Sequence, residues 1–418
     1  MVIDKSKLFV LEKNSLFSGI LFLGLLLAYY STLYPWPLWP IAGHVETVAG
    51  FVLLLAFIFK PHNENTILTR NDFLLAVLLY ATLEVYQRLV GNSNVVRFMS
   101  IPFHVVIFMI LFRLDKEVLP RLMQFITKFM AIIELPAIFF FILYIFGFPL
   151  PSTDASYDNE FYFFTNYYFF LIDDRFLTSL FPRFQAYFVE PNHNGCACVF
   201  LLFYQCGKWK KWYNIVLLTS VLLSFSLTAY VLLVVVMFLN LWRKRKRFLL
   251  KLIIPIAIIG SVIGGSFLYN DGNNLVHDLI LIRLEVEDGD IAGNNRVTKN
   301  FEHDFDRFLK SDDILFGRKR DMTEFGNSGY KVYIYEKGFV GLFLLIAFYV
   351  AATYKARNMR SLLSAWLMAT LYFISNGEIT WFQIFIPTYC AAYALPPETP
   401  EEEKDNEADE KSLKSIET

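Results

Sequence analysis

Charge is what this chain has least of. Asp, Glu, Lys and Arg make up only 18% of its 418 residues, against roughly a quarter in soluble domains, and they fall in short blocks between apolar runs. That pattern excludes a water-soluble enzyme, whose surface helices need a polar face throughout. The net charge of −1 offers no basic excess to hold a phosphate backbone, so no nucleic-acid partner is expected. Cysteine is scarce as well: Cys196, Cys198, Cys206 and Cys390 all lie in apolar stretches without histidines at zinc-ligand spacing, and they read as small hydrophobes. Asp-x-Asp, carboxylates paired at metal spacing, HExxH, a Walker loop and GxSxG are all missing. Metal-nucleotide chemistry and nucleotide-sugar use are thus unsupported, and neither a metal nor a cofactor is expected. The two halves share no repeat, which weakens a two-fold transporter reading. No small-residue cleavage site follows the charged start, so the first apolar run reads as an uncleaved span.

What the chain has in abundance is apolar surface. Hydrophobic residues make up 56%, with 44 Phe and 23 Tyr, and one bilayer span needs only about 20 apolar residues. Runs near residues 15–34, 41–59, 72–90, 96–113, 122–148, 193–207, 212–226, 228–242, 248–268, 330–353, 360–375 and 378–395 give about twelve transmembrane helices in an all-α, polytopic membrane domain over 1–394. Lys5, Lys7, Lys13, Lys60, Arg70, Arg113, Lys116, Arg121, the Arg243–Arg247 run and Lys355 then share one side. Basic residues near span ends stay cytoplasmic, so both termini are expected inside. The tail over 395–418 carries nine Asp/Glu against three Lys, plus three prolines, and reads as disordered, acidic and cytoplasmic.

Two long segments remain outside, at about 149–192 and 269–329, and both are expected to carry amphipathic helices. Long tethered loops usually hold function. The first has an aromatic cluster from Phe161 to Phe170, which suits the headgroup layer or a sugar-stacking platform. It continues into Arg183, Glu190, Pro191, Asn192 and His193. Pro191 favours an extended Glu190 and suits the first helical turn, so Glu190 and Asn192 should stand where the sixth span begins. Glu190 is either a helix-start carboxylate or a general base. Arg183 is either a neighbour of Asp173 and Asp174 or a fork gripping a diphosphate. His193 is most simply a capping or packing residue.

In the second segment, Asn294 or Asn295 can cap a helix in which Val297, Phe301, Phe305, Phe308 and Leu309 share a face. Arg296 falls in its first turn, against the dipole preference. Beyond it come Arg318, Lys319 and Arg320, then Asn327, Ser328, Tyr330, Glu336, Gly338 and Gly341. Ionisable residues within spans are functional suspects by default: His44 with Glu46, Glu84 with Arg88, His104, Glu134 and Glu336.

The Arg-Phe-x-x-x-Phe-x-Glu-Pro-Asn segment at 183–192, the Asn-Asn-Arg at 294–296, and Asn-Ser-x-Tyr with Glu-x-Gly-x-x-Gly at 327–341 together resemble the O-antigen polymerase and ligase family of bacterial surface-polysaccharide enzymes. The likeness covers motifs over roughly 180–345 and the rest of the chain in topology alone. It implies a bacterial plasma-membrane glycosyltransferase with its site facing the periplasm or outside. The donor would be a glycan on polyprenyl diphosphate, transferred with inversion and without metal, with a flippase and a chain-length regulator as companion proteins. On that resemblance Glu190, Arg183 and Arg296 are the catalytic candidates. Asn192, His193, Arg318, Arg320, Asn327, Tyr330 and Glu336 are the substrate-binding ones. The ligase branch has a histidine where this chain has Asn327, nine residues before Glu336, a departure that favours polymerase and leaves Glu190 as base, with His193 in reserve. Ser224, Ser226 and Thr228 open the eighth span without the arginine some relatives place there. A ligase, and a polysaccharide flippase or transporter, are the alternatives.

Overall fold

Thr69 and Asn358 show how apolar runs become helices. The Thr69 hydroxyl accepts the Asp72 N–H at the head of one helix, and the Asn358 amide oxygen accepts the Arg360 and Ser361 N–H groups at the head of another. The computed structural model describes residues 5–58, 67–91, 95–157, 162–176, 182–206, 208–244, 261, 286–287, 290–291, 299–319, 329–356 and 358–395. Its helices are α1 (Lys5–Ser31), α2 (Val45–Ile58), α3 (Arg70–Val90), α4 (Val95–Phe112), α5 (Val118–Ile145), α6 (Pro191–Tyr204), α7 (Trp212–Leu223), α8 (Leu227–Lys244), α9 (Lys299–Phe308), α10 (Tyr330–Thr353), α11 (Met359–Asn376) and α12 (Phe382–Ala394). A 3-10 segment, Trp36–His44, leads into α2.

Large apolar side chains point outward in helical stripes: Ile132, Leu135, Phe139 and Ile142 on α5, and Phe339, Phe343, Ile346 and Val350 on α10. A surface this apolar suits hydrocarbon and not water, so the helices form a membrane-embedded bundle. Four stretches among the described residues, Trp36–Phe57, Arg70–Val90, Val118–Ile145 and Tyr330–Thr353, are long and apolar enough to cross a bilayer, and four shorter apolar helices accompany them. Helices occupy eleven of the twelve expected runs; the run at 248–268 lies outside the described residues apart from Ser261.

At the bundle centre lie α6 and α12, buried on nearly every side. In α6 this rests on small residues: a Cβ on Gly195 would lie 2.9 Å from both the Ser224 hydroxyl and Ala229. Cys196 and Cys198 are fully buried, which accords with their reading as small hydrophobes.

The first long loop differs from expectation. In place of an amphipathic helix its described residues form an antiparallel meander, β1 (Thr153–Tyr157), β2 (Tyr162–Asn166) and β3 (Leu171–Asp173), with Ala155 opposite Phe164 and Thr165 opposite Ile172. Alternation explains it: Phe163 is half exposed and Phe164 is buried, the two-residue period of a half-buried strand. Phe164, Leu171 and Val189 pack under Tyr34, Trp36, Trp39 and Tyr157. Phe169 stacks on Phe140 of α5 at 4.4 Å.

The second long loop has a two-residue hairpin, β4 (Val286–Glu287) with β5 (Asp290–Ile291), and the amphipathic α9. Residues 292–298, with the expected cap and Arg296, lie outside the described residues, as do Arg320 and Asn327. Phe301, Phe305 and Phe308 turn to α10 and bury against Val332, Ile334 and Tyr335. Polar ties flank this contact. The Lys331 ammonium donates to Glu302 at 2.7 Å, and the Tyr335 hydroxyl donates to Asp304. A half-buried pair of this kind is worth at most about 1 kcal/mol. Lys331→Glu should therefore speed amide exchange in α9 several-fold while leaving the global melting midpoint in place. Unchanged exchange would show that the phenylalanines hold α9 without the ion pair.

Candidate functional site

One glycine shapes the site. Gly338 takes φ +62° and ψ −176°, which breaks α10, and only glycine adopts that region readily. The chain before it fills the gap. The Arg318 N–H donates to the Tyr335 carbonyl at 2.8 Å, the Val340 N–H donates to the Leu315 carbonyl at 3.0 Å, and Gly317 sits at φ +81° where a side chain would strike Glu336. From α3, the Tyr86 hydroxyl caps the break by donating to the Lys337 carbonyl at 2.7 Å. Broken helices inside membranes are tolerated where they line a cavity, and this one does.

The cavity holds about 940 Å³, the upper end of the range of small-molecule sites. The end of α1, the start of α2, the end of α3, the start of α4, the broken part of α10 and the turn before α12 all open on it. Tyr157 of the sheet, with Arg318 and Lys319 of the second loop, completes its wall. Both long loops therefore meet at one end of the bundle.

A chain of ionisable groups crosses the wall. His104 Nε2 lies 2.7 Å from Glu46 and its Nδ1 3.6 Å from Glu84, while Arg88 reaches Glu84 at 3.4 Å and the Tyr80 hydroxyl donates to Glu84 at 2.9 Å. Glu84 and His104 are buried. Glu336, Lys337 and Glu378 line the same cavity, with Glu336 and Lys337 3.9 Å apart. Because α12 begins at Phe382, Glu378 belongs to the connection between α11 and α12 and not to the span expected from 378. Burial pushes the Glu378 carboxyl up to about 7; the Lys337 ammonium opposes the shift, and the Glu336 and Glu84 carboxylates add to it. Such a group can take or give a proton near neutral pH. Tyr34, Tyr157 and Trp381 supply aromatic wall, which suits sugar faces.

Of the residues singled out from sequence, His44, Glu46, Glu84, Arg88, His104, Arg318 and Glu336 line this cavity. Arg318 also pairs with Asp313 at 2.9 Å and lies over the Phe308 and Tyr335 rings. Tyr330 opens α10 and is exposed. A second group gathers at the head of α6. There Glu190 has the expected extended backbone (φ −134°, ψ 140°) with Pro191 in the first turn. Its carboxylate lies 3.8 Å from His193, whose ring meets Trp381 edge-on at 5.1 Å. Trp381 lines the cavity, whereas Glu190 and His193 are not among its lining residues.

Asn192 donates to the Asn376 side chain at 2.7 Å and accepts from Ser226 at 3.0 Å, tying α6 to α11 and to the residue that precedes α8. Arg183 donates to the Ser224 carbonyl at 3.3 Å. Glu134 is buried beside Asn194 and Ser220. Sequence reasoning missed Lys337, Trp381 and Glu378. The signal for Glu378 was the Asn376–Gly377 pair before it, a turn dipeptide that moves the helix start downstream. Comparison of the chain with family models, curated proteins and solved structures gives no match.

Proposed function

We propose that the protein polymerises a bacterial surface polysaccharide, moving the growing glycan from polyprenyl diphosphate onto a lipid-linked repeat unit with inversion. The carrying observation is the convergence of both long loops on one cavity that combines carboxylates, cations and aromatic walls. A twelve-span chain with internal termini would set that cavity at the outer face, where lipid-linked glycans are displayed. Arg318, Lys319 and Lys337 would offset charge building on the departing diphosphate. A cavity carboxylate would take the acceptor's proton. Tyr34, Tyr157 and Trp381 would bear sugar rings.

The broken α10 favours a second reading, a flippase or transporter, because discontinuous helices line many transport sites. One assay separates the readings: purified full-length protein with lipid-linked repeat units, a chelator and no nucleotide sugar. Polymerase activity gives a ladder of increasing length. A single adduct on another acceptor indicates a ligase. Substrate movement across vesicles without any new glycosidic bond sinks the polymerase and leaves the transporter.

A further inference from the structure

Glu378 has no role so far beyond lining the wall, yet the turn that carries it is held from both sides. It follows Gly377, which ends α11 in the left-handed region at φ +80°, with its N–H on the Phe373 carbonyl. A Cβ on Gly377 would lie 2.9 Å from the Gly329 carbonyl oxygen, so this turn is seated directly against the head of α10. Downstream, the Tyr349 hydroxyl donates to the Ile379 carbonyl, and Gln383 Nε2 donates to the Thr32 carbonyl at 3.2 Å. The turn is clamped on both sides of the carboxylate. Such fixing is what a proton acceptor needs, since a small misplacement costs rate.

Resting on the polymerase reading, we propose that Glu378, and not Glu190, is the catalytic base that accepts the proton of the acceptor hydroxyl. The acceptor O–H bond breaks and its proton passes to a Glu378 oxygen. The acceptor oxygen's electron pair forms the new bond to the anomeric carbon. The bond from that carbon to the diphosphate breaks, its electrons leaving on the polyprenyl diphosphate. No further reactant is needed. Glu190, by contrast, is not among the residues that line the cavity.

The groups facing Glu378 set its pH behaviour: Glu336, Lys337 and Tyr333 from α10, Glu84 and Arg88 from α3, and Tyr34 beyond α1. They accord with a carboxyl titrating near 7. A base acts only when ionised, so the rate should fall as pH drops below about 7 and level off above it.

The test uses full-length protein in detergent with lipid-linked repeat units. Wild type should give a ladder, and Glu378→Gln should cut its rate by about 10²- to 10⁴-fold and abolish the pH midpoint. Folding is checked by melting. Because the carboxyl is raised from 4.5 to about 7, stability present below pH 4.5 is lost as pH rises through 7. Glu378→Gln should accordingly melt higher than wild type at pH 8.5 and match it at pH 4.5. A wild-type ladder with an equally fast Glu378→Gln ladder would overturn the assignment and return the role to Glu190. A wild type that makes no ladder would remove the polymerase reading, and this proposal with it.

Discussion

Gly338→Ala is expected to cost the protein the architecture of its cavity wall. At φ +62° and ψ −176° an alanine pays about 1–3 kcal/mol for backbone strain alone. Its Cβ would also stand 2.2 Å from the Leu315 carbonyl oxygen and 2.6 Å from the Gly317 nitrogen, atoms of backbone that no rotamer can move aside. Relief requires the 315–318 segment to leave α10. That movement breaks the bonds from Arg318 to Tyr335 and from Val340 to Leu315, and it opens the wall formed by Arg318 and Lys319. The combined cost should exceed about 3 kcal/mol, read as a lower melting temperature and as protease sensitivity within 309–319. Gly19→Ala is the matched control. Nothing lies within 4 Å of its added carbon in α1, and alanine is the better helix former by up to about 1 kcal/mol. Equal melting of the two variants would mean that the break in α10 is not held as described.

The helices were legible because hydrocarbon-facing and packed residues both leave long apolar runs, and the start of α6 because Pro191 constrains Glu190. The suspects Glu46, Glu84, His104 and Glu336 were legible one by one, since a charge inside an apolar run needs a reason. Their sharing of one cavity was not, because the pairing of α2 with α4 and of α3 with α10 joins residues far apart in sequence. The meander around Phe164 was within reach of its alternating pattern, but aromatic residues side by side also suit a headgroup layer. The break at Gly338 was beyond reach. Glu336, Gly338 and Gly341 sit in a run that reads as continuous helix, and only the distant 315–318 backbone makes the extended turn affordable. For the same reason Glu190 looked central from its motif, while the cavity lining takes Trp381 and Glu378 from the last connection and leaves Glu190 out.

His104→Ala should strongly destabilise the cavity wall. The ring stands between two carboxylates, 2.7 Å from Glu46 and 3.6 Å from Glu84, and it is buried. Its loss is uneven for the two partners. Glu84 keeps Arg88 at 3.4 Å and the Tyr80 hydroxyl at 2.9 Å. Among the described residues Glu46 keeps only a 3.4 Å bond from the Ser31 hydroxyl and faces Glu84 across the gap. Stranding one member of a buried pair costs about 3–5 kcal/mol; Glu46 is about a quarter exposed, which places the loss near the lower figure. The penalty comes from the charge left behind, so removing that charge should return part of it. The double variant Glu46→Gln/His104→Ala is expected to melt above His104→Ala alone and below wild type. Added salt should narrow the gap only slightly, because counterions screen exposed pairs far better than buried ones. If the double variant melts lower than the single one, the two losses add as independent packing defects, and the carboxylate–histidine chain is not the element that holds this wall.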